Sequence, residues 1–117
     1  MRIGELADRT GVSVRSLRYY EEQGLLESRR SAGGHRHYGE DSVERVAHLR
    51  QLYAAGLSSA TIVSMLPCWN SPSVATSDAA FARLVKERDK LIAHIAELTH
   101  TLDSLNGIID RNRAARP

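Results

Sequence analysis

The sequence predicts a mainly α fold: a winged helix-turn-helix DNA-binding domain followed by a long dimerisation helix. Three observations lead there. Residues 3–26 read as two short helices joined by a tight turn. Residues 29–38 set a Gly33-Gly34 pair between Arg29-Arg30 and His35-Arg36-His37-Tyr38, the pattern of a small basic hairpin. Beyond residue 80, apolar side chains recur with a heptad period. Such a module lays its second helix in the major groove of DNA and its wing on neighbouring phosphates.

The elements follow in order. Ile3, Leu6 and Ala7 mark one face of the first helix. Thr10-Gly11-Val12 is the turn, where Gly11 is free to adopt a positive φ. Ser13 suits the N-cap of the second helix. Val14, Leu17 and Tyr20 form its inner face, leaving Arg15, Ser16, Arg18 and Tyr19 on the outer sides. Gly24 stops that helix, and Leu25-Leu26 return the chain to the core. After the hairpin, Asp41 is expected to cap a third helix, with Glu44 completing a capping box. Val43, Val46, Leu49 and Leu52 give it an inner face, and Gly56 ends it. Ser58 caps a short fourth helix carrying Ile62, Val63 and Leu66, stopped by Pro67. These spacings divide the chain into a DNA-binding domain (1–66), a linker (67–77), a dimerisation helix (78–112) and a basic tail (113–117). The linker, PCWNSPSVATS, is read as non-helical for its prolines and serines, and Ser77 or Asp78 is expected to cap the last helix.

With Phe81 at position a, the a residues of that helix are Phe81, Arg88, Ile95, Leu102 and Ile109. The d residues are Leu84, Leu91, Leu98, Leu105 and Asn112. Eight of the ten are apolar, so Phe81, Leu84, Leu91, Ile95, Leu98, Leu102, Leu105 and Ile109 are the candidate dimerisation residues. At 1.5 Å per residue the seam spans about 42 Å, more than a domain this small can cover. A homodimer is the expected solution. The pattern alone leaves parallel and antiparallel pairing open. Arg111, Arg113 and Arg116 complement the negative end of the helix dipole.

Composition narrows the class further. No stretch of the 117 residues approaches the roughly 20 apolar residues that span a bilayer, and the N-terminus does not resemble a signal peptide. A cytoplasmic protein with no membrane partner is expected. Net charge is only +2, but of the 16 basic residues only Lys86 and Lys90 are lysines. Arginine forks onto phosphates and guanine edges, although a GC-rich genome would enrich it as well. No paired acids, phosphate loop or nucleophile elbow is visible, so an enzyme is not expected. The single cysteine, Cys68, cannot build a cluster or a multi-thiol metal site, so neither cofactor nor metal is expected. Cys68 is a possible sensor thiol, though a small half-buried residue fits it as well. His35 and His37 share a strand face in an arginine-rich wing, where phosphate contact is a better use than metal binding.

The run IGELADRTGVSVRSLRYYEEQGLL, then Arg30, Gly34-x-Arg36-x-Tyr38 and an Asp-led helix ending in AAGLS, resembles the MerR family of bacterial transcription regulators. The likeness covers residues 3–66, and the 81–109 helix is similar to the family's dimerisation helix, which pairs antiparallel. The resemblance implies a homodimer on a pseudo-palindromic promoter spacer. Activating members bend and untwist that spacer so that RNA polymerase engages both promoter elements. It also implies DNA contacts from Arg15, Arg18, Tyr19 and Tyr20 of the second helix and from Arg30, Arg36 and Tyr38 of the wing. Ser13, Ser16 and His35 join them as candidates by position. The sequence departs from the family pattern at Ser28, at His35 and at Ser59-Ala60-Thr61. An architectural or recombination-accessory DNA-binding protein built on the same module is the competing reading.

Overall fold

The computed structural model describes residues 1–117. The chain order is α1 (Ile3–Thr10), α2 (Val14–Glu22), β1 (Arg29–Arg30), β2 (Arg36–His37), α3 (Glu40–Ala54), α4 (Ser59–Ser64), α5 (Leu66–Asn70) and α6 (Val74–Ala115). It divides into two units, Met1–Ala80 and Phe81–Pro117.

The first unit is organised by the face pattern read above. Leu6 of α1, Leu17 of α2, Val46 and Leu49 of α3 and Ile62 of α4 are fully buried, joined by Val12, Leu25, Leu26 and Leu57 from the connections. Truncating a buried leucine such as Leu17 to alanine in a core of this kind costs about 2–5 kcal/mol. Gly11 takes φ 72° at the C-cap of α1, and its N–H donates to the Ala7 carbonyl. A side chain there would be strained, which is why the turn between the two helices needs glycine. At the end of α2, Gly24 (φ 74°) donates to Glu21 O while Leu25 donates to Tyr20 O. That double closure is a Schellman motif, and it delivers Leu25 and Leu26 into the core.

The caps at Ser13 and Ser58 form as expected, accepting from Ser16 N–H and Thr61 N–H. The cap of α3 does not. Gly39 occupies the N-cap with no side-chain hydrogen bond, and Glu40 and Asp41 fall inside the first turn. Glu40 instead receives the Arg9 guanidinium as a fork, at 2.5 and 2.8 Å, which ties α1 to α3. This pairing raises the Arg9 pKa and lowers that of Glu40.

The linker expectation also needs correction. Pro67 lies in the first turn of α5 rather than ending α4, because a first-turn proline loses no helical hydrogen bond. The long helix starts at Val74, not near Asp78. Ser73 Oγ accepts from Thr76 N–H at 3.1 Å and Thr76 Oγ1 accepts from Ser73 N–H at 2.9 Å, a reciprocal cap. The same helix continues to Ala115, so Arg113 is helical rather than a tail residue. Of the apolar residues carried by α4, Ile62 is buried and Val63 exposed.

In the second unit the heptad stripe is open to solvent. Leu91, Ile95, Leu98, Leu102 and Leu105 each keep more than half of their surface exposed. Ile92 and Ile108 flank the stripe and are equally open. No helix of the chain is long and apolar enough to cross a membrane.

Candidate nucleic-acid interface

The surface that α2 presents is fixed by what it buries. Leu17 and Tyr20 are held in the core, so Arg15, Arg18 and Tyr19 point outward from the same helix. Ser13 Oγ and Ser16 are engaged with each other at the N-cap, at 3.1 Å. Both serines therefore serve first to start the helix. Arg15 and Arg18 are exposed and form no ion pair within the chain.

The wing is a two-residue antiparallel ladder, with Arg29 opposite His37 and Arg30 opposite Arg36. Its turn is closed by Ser31 N–H donating to His35 O and Gly34 N–H donating to Ser31 O. The Arg30 guanidinium folds back to donate to Gly34 O at 3.0 Å, so Arg30 braces the tip as well as charging it. All residues from Arg29 to His37 are exposed.

Glu21 joins helix and wing. Its Oε2 accepts from Arg36 at 2.6 Å and its Oε1 accepts from the Tyr38 hydroxyl at 2.9 Å. Met1 closes the other side, since its backbone carbonyl accepts from Tyr38 N–H and its amino nitrogen donates to Tyr38 O, both at 2.7 Å. As a result Arg18 of α2, His35 and Arg36 of the wing and Arg2 line one depression of about 190 Å³. Three guanidiniums around one concavity make an anion-binding surface.

Two candidates are corrected here. Tyr38 is 1% exposed and Tyr20 8%, so both rings pack in the core, with only an edge of Tyr38 reaching the floor of that depression. Tyr20 stacks on Tyr53, with centroids 5.6 Å apart and planes at 11°. Burial raises the pKa of both tyrosines, that of Tyr38 to about 12 with a further push from Glu21. Tyr19 remains at the surface, 43% exposed, and its hydroxyl meets Ser59 Oγ at 2.8 Å. The same Ser59 oxygen meets the Tyr53 hydroxyl at 2.6 Å.

Sequence reasoning missed Arg2, Glu21 and Ser59. Arg2 precedes the helix and carries no periodic signal. Glu21 reads as one of two ordinary solvent acids. Ser59 was visible only as a departure from the family pattern. Cys68 stands elsewhere in the first unit, half-buried in a small pocket with His48, Leu52, Met65, Trp69 and Ala80.

Comparison with known proteins agrees with this arrangement. Residues 1–67 match the family described as MerR HTH family regulatory protein. The chain is 36% identical over 110 residues to heavy metal-dependent transcription regulator 2 of Rhizobium meliloti, covering 92% of this chain and 75% of that protein. It is 55% identical to the nodulation protein NolA of Bradyrhizobium elkanii, over only 58 residues and 26% of that protein. Among solved structures it is similar to a MerR family regulator from Listeria monocytogenes, with TM-score 0.69, 29% identity and coverage of 98% and 87% of the two chains. It also shares its fold with HiNmlR, a MerR family regulator lacking the sensor domain and solved bound to promoter DNA (TM-score 0.65, 24% identity, coverage 88% and 78%). The relatives' named role is regulation, which does not favour the architectural reading. With its family match over more than half its length and its regulator relatives, the chain belongs to the MerR family of DNA-binding transcription regulators.

Proposed function

We propose that the chain acts as a cytoplasmic homodimer on a pseudo-palindromic promoter spacer, distorting the duplex and so governing its use by RNA polymerase. The observation that carries this reading is the arginine-lined concavity between α2 and the wing. Arg15 and Arg18 enter the major groove with α2 and read base edges, while Arg36, Arg30 and His35 hold the flanking backbone. Arg2 adds a phosphate contact. Two copies joined along α6 bring two such heads to one duplex. That bivalent grip offsets the deformation energy of the spacer. Catalysis plays no part in this reading.

Selection of bound fragments from genomic DNA, followed by footprinting, tests it. The expected result is protection of a spacer between promoter elements, with salt-dependent affinity and a bent fragment. Uniform binding at many unrelated loci would overturn it. Leu98→Glu should yield monomers in sedimentation and lose tight operator binding.

A further inference from the structure

The open stripe on α6 is not uniform, and its two polar breaks carry information about what covers it. Arg88 sits at an a position and Asn112 at a d position, with apolar a and d residues between them and beyond Arg88. The Arg88 head is exposed, held only by its sequence neighbour Asp89 at 3.3 Å. In a two-fold antiparallel pair each a residue faces a d residue of the other copy, and facing residue numbers add to a constant. Sliding the copies by one heptad changes that constant by seven, so only a few registers exist.

One of them sets like against like in every layer from residue 88 to residue 112. With facing numbers totalling about 200, counted from the heptad geometry, Leu98 meets Leu102, Ile95 meets Leu105, Leu91 meets Ile109 and Arg88 meets Asn112, each across the two copies. The guanidinium then finds a carboxamide oxygen that accepts its hydrogen bond, and no polar group faces an apolar one over 88–112. A shift of one heptad either way breaks this. One direction sets Arg88 against Leu105 and Phe81 against Asn112; the other sets Ile95 against Asn112 and leaves Arg88 with no facing residue. In-register parallel pairing sets Arg88 against Arg88, two like charges in one layer.

We infer that α6 self-associates antiparallel in this one register, about a two-fold axis at His100, with Arg88 and Asn112 as the residues that select it. The occupant of the stripe is a second copy of this chain. Leu84 falls opposite Arg116, just past the end of the second copy's helix at Ala115, and Phe81 lies beyond it, so both stand outside the matched layers. A polar pair within an apolar seam is a known device for fixing register, because every alternative strands it against hydrocarbon. The inference rests on the homodimer reading above and adds the geometry of the pair.

Engineered disulfides distinguish the two claims. In a Cys68→Ser background, the double variant Leu91→Cys/Ile109→Cys should give covalent dimer on mild oxidation. An equal mixture of the two single variants should give the crossed product, and neither alone should cross-link. Self-linkage of Leu91→Cys alone indicates parallel helices, and linkage of Leu91→Cys to Leu102→Cys indicates the shifted register. Either result overturns the inference while leaving the homodimer intact. A wild-type mass of one chain in sedimentation at tens of micromolar sinks both. As a second readout, Asn112→Glu supplies a carboxylate to Arg88 and should tighten the dimer about tenfold. Weakening by that change would also overturn the assignment.

Discussion

The Tyr38 hydroxyl donates to Glu21 across 2.9 Å, binding the end of the wing to the last turn of α2. Glu21 also accepts from Arg36, so one carboxylate sets the angle between the two elements that carry the candidate DNA contacts. The tyrosine ring is fully buried, which makes it a strut whose polar end is the only adjustable part.

Breaking that strut should be visible in both stability and alkaline titration. Tyr38→Phe removes one hydrogen bond to a charged acceptor and is expected to cost about 1–2 kcal/mol in denaturant unfolding. In the intact protein the Tyr38 pKa is raised from 10.0 to about 12, first by burial and then by Glu21. A raised acid pKa means the folded state holds the proton longer than the unfolded chain. Its stabilisation is therefore whole below pH 10 and is lost as pH rises through 12. Tyrosinate absorbance should show one of the four tyrosines titrating last, coincident with loss of structure. Tyr38→Phe should abolish that late step; its persistence would reassign the group.

Ser59 is expected to act on DNA affinity without touching DNA. Its oxygen holds the Tyr19 hydroxyl at 2.8 Å and the Tyr53 hydroxyl at 2.6 Å, orienting an exposed side chain of α2 from the start of α4. Ser59→Ala should weaken operator binding by about three- to tenfold, equivalent to roughly 1 kcal/mol, while thermal unfolding shifts little. Ser59→Thr keeps the hydroxyl and should recover most of the loss. Equal behaviour of the two variants would show that Tyr19 needs no such support.

The contrast between Leu17 and Glu21 shows what the sequence discloses. Leu17 is legible because burial imposes periodicity, and the helix faces, the Gly11 and Gly24 turns and the wing all follow from local rules of that kind. The pairing of Glu21 with Arg36 spans 15 residues, and nothing local distinguishes Glu21 from Glu22. The helical start at Leu66 was obscured because proline reads as a breaker unless its place within the turn is known. For Tyr20 the helix phase and the resemblance disagree, and the phase, which puts it on the inner face, is the one its burial follows; Tyr38 sits in a two-residue ladder too short to show a buried face, so only the resemblance spoke for it.

Arg45 should govern the integrity of α5. Its Nε donates to Leu25 O at 3.0 Å, Nη1 donates to Asn70 Oδ1 at 3.2 Å, and the guanidinium carbon lies 4.2 Å from the centre of the Trp69 ring. Burial lowers the Arg45 pKa, so the cation depends on these partners. Arg45→Met keeps the stem and deletes all three, at an expected cost of about 1–3 kcal/mol. Trp69 is the only tryptophan, and its emission should shift to the red as α5 loosens. Unchanged emission and stability together would mean that α5 is held by Met65, Leu66 and Trp69 packing alone.

Arg18 and Arg36 line the same depression yet should fail differently when removed. Arg18 projects from the outer face of α2 and is free of ion pairs, so its guanidinium is available to a base edge. Arg18→Ala should reduce discrimination between the operator and a single-base variant by about 1–3 kcal/mol, leaving nonspecific binding nearly unchanged. Arg36 is neutralised in part by Glu21 before DNA arrives, at 2.6 Å. Its other guanidinium N–H groups remain for a phosphate, and neutralising that phosphate releases a counterion from the DNA, so Arg36→Ala should weaken binding to all sequences alike. It should also lower the salt slope by about one. Fluorescence anisotropy on both duplexes across a salt series separates the two outcomes. An Arg36 variant that changes sequence preference while keeping its salt slope would place the wing in base readout, contrary to the division of labour proposed for the two arginines.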